Sequence, residues 1–327
     1  MTTRAGVVVA AVLAAGLVVP VWMRDAGLMR VVIEFVTLLV LAQMWNLLAG
    51  YAGLASIGQQ AYVGLGGYAL VVLADDLGVN AFLSVPLAGL VAAALALPTA
   101  VLVFRFRGAY FTVGTWAVAE VYRLLVANTG VLGRGTGRTL KAVFPLPRET
   151  RELATYAMAV VIAVAAMGAV YLYLRSRRGL GLMAVRDSEP ASESLGVDVY
   201  RTKLMVYLLA AFGTGTTGAL VYLNLLRISP DAAFSINWTG YTIFIVVIGG
   251  IGTLEGPIVG TVVFFVLREL LADYGSWFMI LLGTLAVLTM LRYPQGLWGL
   301  VTQRWDVRVF PVQRTIQVGS APRHVGS

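Results

Sequence analysis

The sequence predicts an all-helical, polytopic membrane bundle of about ten spans, and three observations carry that prediction. Of 327 residues, 59% are apolar and only 12% charged, where a water-soluble chain carries roughly a quarter. Mean hydropathy is +0.84. The charges are also spaced so that uncharged runs recur at the ~20 residues that a helix needs to cross hydrocarbon. A cytosolic enzyme is thereby excluded.

The spans follow from the intervals between charges. Ala5 to Met23, between Arg4 and Arg24, reads as span one: it is long for the apolar region of a signal peptide, and no small-residue cleavage site follows. The uncharged run from Phe35 to Ala74 is too long for one crossing and right for two, with Gly50-Tyr51-Ala52-Gly53 as the turn between them. Leu77 to Phe104 is span four, Gly108 to Ala127 span five, Leu153 to Leu174 span six and Leu204 to Leu226 span seven. Ala232 to Leu254 supports span eight. Gly256 to Leu267 is short and counts as span nine, with a re-entrant hairpin as the alternative, and Tyr274 to Leu291 completes the set. Residues 1–300 form one transmembrane domain. The polar stretch from Val301 to Ser327, with Pro311 and Pro322, reads as a disordered cytoplasmic tail.

Ten crossings place both termini on one side of the membrane. That side holds 14 of the 24 basic residues and the other holds nine, with Arg123 inside a span, which favours cytoplasmic termini. The basic loop from Asn128 to Glu152 pulls the other way. A formal charge of +8 needs no nucleic acid, because basic residues beside apolar spans sit against anionic lipid.

Several chemistries are absent. There is no cysteine, and the single histidine, His324, lies three residues from the C-terminus, so neither a metal site nor a cofactor is expected. No catalytic dyad can be assembled. The only lysines, Lys141 and Lys203, follow Leu140 and Thr202, so no GxxxxGK[ST] phosphate loop exists. Any ATP must be bound by another chain. Too few carboxylates lie within spans to form a proton relay.

The residues that remain are small or polar. Glycines crowd at Gly50, Gly53, Gly58, Gly64, Gly66 and Gly67, and again at Gly249, Gly250, Gly252, Gly256 and Gly260, where they permit close helix packing or a break in a helix facing protein or water. Ser56, Gln59 and Gln60 fall at membrane depth, and Asn46 shares a helix face with Gln43. Such side chains either line a polar path or bond to a neighbouring helix. Glu120 and Arg123, three apart in span five, read as a structural ion pair, and Glu34 belongs at the interface. Between Arg175 and Lys203, Ser188 can cap a short helix from Glu189 to Leu195 that ends at Gly196. Two turns are not stable alone, so this helix needs a surface to lie on.

Five stretches stand in order and at set spacing: Asn46 to Gly53 with Ser56-Ile57-Gly58, Arg107 to Phe111 leading to Ala119-Glu120, Arg186 to Ser192 with Leu195-Gly196-Val197, Gly249 to Pro257, and Tyr293 to Leu297. Together they resemble the LivM-type permease subunits of bacterial ABC importers for branched-chain amino acids. The resemblance covers roughly residues 31 to 300. It implies an inner-membrane subunit in the bilayer, paired with a homologous LivH-like permease, two ATP-binding subunits and a periplasmic solute-binding protein. It also implies that Asp187, Glu189, Ala191, Ser192, Leu195 and Gly196 form the motif that couples to the ATPase, with Pro190 and Ser192 departing from the usual residues. Gln59 and Gln60 stand where the family often has histidine, and related permeases carry urea and short amides. An ATP-independent carrier is the alternative from another class. Five crossings plus five would make the halves inverted repeats.

Overall fold

The structure, a computed structural model, describes residues 25–271, 277–305 and 310. The expected span one and most of the expected tail lie outside the described residues, and the tail's first five residues are helical. Helix α1 (Ala26–Ala52) starts two turns before its uncharged run, because the Asp25 carboxylate accepts hydrogen bonds from the Gly27 and Leu28 N–H groups at 2.8 and 3.1 Å. It stops where Gly53 adopts a left-handed φ of 70°. Residues 54–59 are not helical. They lead to α2 (Gln60–Val71), which runs on as a π-helical turn over Val72–Asp76.

Helix α3 (Ala81–Val103) is capped by Asn80, and α4 (Ala109–Asn128) follows a short bend. A loop containing the strand β1 (Arg138–Thr139) then leads to α5 (Arg148–Arg175). The charged segment that follows forms α6 (Arg177–Asp187) and α7 (Glu189–Ser194) before α8 (Val199–Leu225). After it come β2 (Arg227–Ile228), α9 (Pro230–Ala233), α10 (Ile236–Gly249), α11 (Gly256–Leu270), α12 (Trp277–Arg292) and α13 (Gly296–Trp305). The two strands pair antiparallel, Arg138 opposite Ile228, a contact that an all-helical expectation did not contain. Helix α13 crosses residue 300, the expected end of the transmembrane domain.

Among the described residues, six helical stretches are long and apolar enough to cross a membrane: α1, α3, α5, α8, α9 with α10, and residues 280–304 across α12 and α13. The shortfall from ten has a local cause. Helices α2 and α11 are short, α4 carries Glu120 and Arg123, and span one is not among the described residues.

Helices α1 and α8 are the most buried of the six stretches. Backbones approach closely around α8. A Cβ on Gly66 of α2 would lie 2.0 Å from the Gly215 carbonyl oxygen, and one on Gly218 would lie 2.2 Å from that of Val63. On the α3 side, Gly89 abuts Thr216 and Gly215 abuts Ala92. The stretch Gly215-Thr216-Thr217-Gly218 is therefore the surface on which α2 and α3 pack, while Gly213 before it meets Met44 of α1.

The turns gather at two opposite ends. At one, Gly50, Gly53, the loop at 250–255, Gly296 and α6 lie together. At the other, Asp75 accepts from the Lys141 and Ala142 N–H groups, Arg138 grips Asp76, Arg30 pairs with Glu152, and Arg268 pairs with Glu34.

Candidate functional site

The first end is built around a break in the bundle. Between α10 and α11 the chain leaves helical geometry at Gly250 (φ 134°) and Gly252 (φ 76°), which frees several backbone groups. Side chains of α1 take them up. Gly252 N–H donates to Asn46 Oδ1 at 2.8 Å, Asn46 Nδ2 donates to the Thr253 carbonyl at 2.7 Å, and Gln43 Nε2 donates to that of Leu254 at 2.6 Å. Asn46 and Gln43, three residues apart, thus act as one clamp. Gly50 is required here, since a Cβ would lie 2.6 Å from Gly252 N. The two glycine clusters of the sequence therefore touch each other at this point. Within the second cluster, Gly249 meets the Gly256 carbonyl just as closely.

The second break is the extended link between α1 and α2. Non-helical backbone at membrane depth survives only where protein satisfies it, and here four helices contribute. Trp45 Nε1 donates to the Ser56 carbonyl at 2.7 Å, Thr112 Oγ1 to that of Ala55 at 2.8 Å, and Ile57 N–H to Thr115 Oγ1 at 3.2 Å. Ser56 Oγ accepts from Gly58 N–H at 3.1 Å. At the start of α2, Thr214 Oγ1 donates to Gln59 Oε1 at 3.1 Å, Gln60 N–H to Thr239 Oγ1 at 3.3 Å, and Thr239 Oγ1 to Gln60 Oε1. Thr214 lies at the middle of α8, so this polar group sits at mid-depth. Gln59 Nε2 is buried there without a partner.

The segment after α5 is the third component. Ser188 Oγ accepts from Ala191 N–H at 3.4 Å to cap α7, Ser192 Oγ donates back to the Ser188 carbonyl at 2.8 Å, and Gly196 takes a φ of 84° with open space around it. Ser192 is buried and Leu195 is 81% exposed. Glu189 pairs with Lys203 at the start of α8, and Asp187 with its neighbour Arg186 at 3.0 Å. A cavity of about 790 Å³ lies between α7 and the α3–α4 bend, lined by Phe104, Arg107, Ser188, Glu193, Tyr200 and Lys203 among others.

These three components meet at Arg186. Its Nη1 donates to the Gly50 carbonyl at 2.8 Å, and Gly53 and Gly252 pack beside its side chain. A family model described as the permease component of the branched-chain amino acid transport system matches residues 27–290. The chain belongs to this permease family. It is 30% identical over 278 residues to the high-affinity branched-chain amino acid transport system permease protein LivM of Salmonella typhimurium, and 29% identical to that of Escherichia coli. Each alignment takes in 77% of this chain, which spans 65% of the length of those curated relatives. No solved structure gives a significant match.

Elsewhere in the permease, Arg123 donates to Glu120 at 2.6 Å and to Asp231, in α9, at 2.7 Å, so the pair within α4 also ties that helix to the segment before α10. Among the described residues no group of three or more histidine, cysteine, aspartate or glutamate side chains could hold a metal. Sequence reasoning gave no role to Thr214 and Thr239, and met Arg186 only as the first residue of the stretch Arg186 to Ser192, without its bond to Gly50. The Gly-Thr-Gly-Thr-Thr-Gly run could have flagged Thr214.

Proposed function

We propose that this permease is the membrane-spanning subunit of an ATP-driven importer that carries branched-chain amino acids across a bacterial inner membrane. It would pair with a homologous LivH-like permease, receive substrate from a periplasmic solute-binding protein and be driven by two ATP-binding subunits. The observation that carries this reading is the helix α7: capped, with Leu195 exposed, and linked through the adjacent Arg186 to Gly50, beside the breaks at Gly53 and Gly252. A short helix with an exposed apolar tip is a handle for another protein. Movement of Asp187, Glu189, Ala191, Ser192, Leu195 and Gly196 would reach both breaks through a single guanidinium, a rigid-body route to alternate access.

Ten crossings are included in the proposal: span one, then α1, α2, α3, α4, α5, α8, α10, α11 and α12, with both termini and the α6–α7 end in the cytoplasm. The inverted five-plus-five arrangement would match α2 with α10. In its support, these helices begin at depth and meet start to start through Gln60 and Thr239. The polar group of Ser56, Gln59 and Gln60, with Asn46 near it, would then border the path.

The test is reconstitution in liposomes. Leucine accumulation that requires ATP, the ATPase and the sister permease supports the proposal. Accumulation against a gradient by this chain alone overturns it. Gly196→Val, which fits the open space but strains the left-handed backbone, is expected to abolish uptake while the ATPase remains bound. Normal uptake by that variant removes α7 from the mechanism.

A further inference from the structure

At the end of the bundle away from α6 and α7, the helices α1, α8, α10 and α11 enclose a cavity of about 490 Å³ that plays no role in the site above. Pockets of this order hold small organic ligands. Its floor is buried and mostly apolar, with Ile33, Leu38, Val221 and Phe264 beside Thr37, and Trp238 and Tyr241 form a wall. Its mouth carries Arg30, Glu34 and Arg268, each about half-exposed. Glu34 is paired with Arg268, and Arg30 with the more buried Glu152 at 2.9 Å.

We propose that this cavity is a binding site for a zwitterionic, apolar amino acid, with the α-ammonium on Glu34, the α-carboxylate on Arg268 and Arg30, and the side chain on the apolar floor. The inference deepens the function proposed above and rests on it. Three features agree. The two signs of charge stand together at the mouth, as the two ends of a zwitterion require. Insertion of a zwitterion between Glu34 and Arg268 exchanges one charge-assisted pair for two, so neither group is stranded. The cavity also opens at the end opposite the α7 handle. If that handle faces the ATPase, the mouth faces the side from which substrate is delivered. A sugar brings no opposed charges to the mouth, and a fatty acid or a simple amine brings only one sign.

The experiment uses the assembled transporter in lipid nanodiscs, without the solute-binding protein, titrated with L-leucine, 4-methylpentanoate (no ammonium) and isoamylamine (no carboxylate). Leucine is expected to bind at least about tenfold more tightly than either analogue. Glu34→Gln is expected to weaken leucine about tenfold and leave 4-methylpentanoate unchanged, and Arg268→Gln to weaken leucine and leave isoamylamine unchanged. The analogue series on the unaltered protein stands even if a variant fails to assemble. Absence of leucine binding, or analogues that bind as well as leucine, overturns the site. If receptor-driven, ATP-dependent uptake of leucine persists once the same transporter is placed in liposomes with the solute-binding protein, the proposed function survives the loss of the site. If no branched-chain amino acid is taken up, the function falls with it.

Discussion

The guanidinium of Arg186, at the end of α6, donates a hydrogen bond of 2.8 Å to the carbonyl oxygen of Gly50, in the last turn of α1 and 136 residues earlier in the chain. Carbonyls of a last helical turn have no partner within the helix and carry its negative dipole end, so a cation is held there by charge as well as by geometry. This bond joins the α6–α7 segment to the breaks at Gly53 and Gly252.

Arg186→Ala is accordingly expected to lower ATP-driven uptake at least about tenfold while the ATPase still copurifies with the permease. Arg186→Lys restores charge but not the planar fork that reaches both Gly50 and Asp187, and is expected to recover only a fraction of the activity. Transport measured beside pull-down of the ATPase checks both. Unchanged uptake in the alanine variant removes Arg186 from the linkage.

Asn46→Ala leaves the Gly252 N–H and the Thr253 carbonyl without their partner in a partly buried place, at a cost below the ~1–3 kcal/mol of a fully buried group. Thermal unfolding in detergent is expected to show a lower midpoint. Asn46→Asp keeps the acceptor for Gly252 but loses the donor to Thr253, and so is expected to fall between.

Gly66→Ala would place a methyl group 2.0 Å from the Gly215 carbonyl oxygen, where the backbones of α2 and α8 cross. Overpacking of this kind costs about 1–3 kcal/mol. By contrast, Gly168→Ala on α5 meets nothing within 4 Å and is expected to leave the unfolding midpoint unchanged or raise it. Equal effects of the two substitutions would contradict the packing described for α8.

Asp76 lies beyond the last buried turn of α2, and the two hydrogen bonds from Arg138, 2.6 and 2.7 Å, hold its carboxyl below the ordinary carboxylate value. Because the folded value is depressed, the contact contributes fully above the unfolded value of about 4 and is lost as pH falls through the depressed one. A spin label on Thr139→Cys is expected to gain mobility only in strong acid. With Asp76→Asn the same label should be mobile at neutral pH.

The helical membrane class and the local devices were legible in the sequence because they depend on neighbours, whereas six of the ten expected spans are long and apolar enough to cross among the described residues. Uncharged runs have to be helical in lipid, where every backbone group needs an internal partner. Ser188 and Gly196 bound a short helix by capping chemistry alone, and Glu120 meets Arg123 because residues three apart share a helix face.

Which groups those polar side chains serve could be settled by tertiary structure only. Asn46 holds a loop more than 200 residues away, Gln60 meets Thr239, β1 finds β2, and Arg186 reaches Gly50, all through contacts with no local period or spacing to announce them. Helix breaks at Gly53 and Gly252 release backbone groups wherever they occur, but only the packing of α1, α4, α6 and α8 determines which side chain comes close enough to take them.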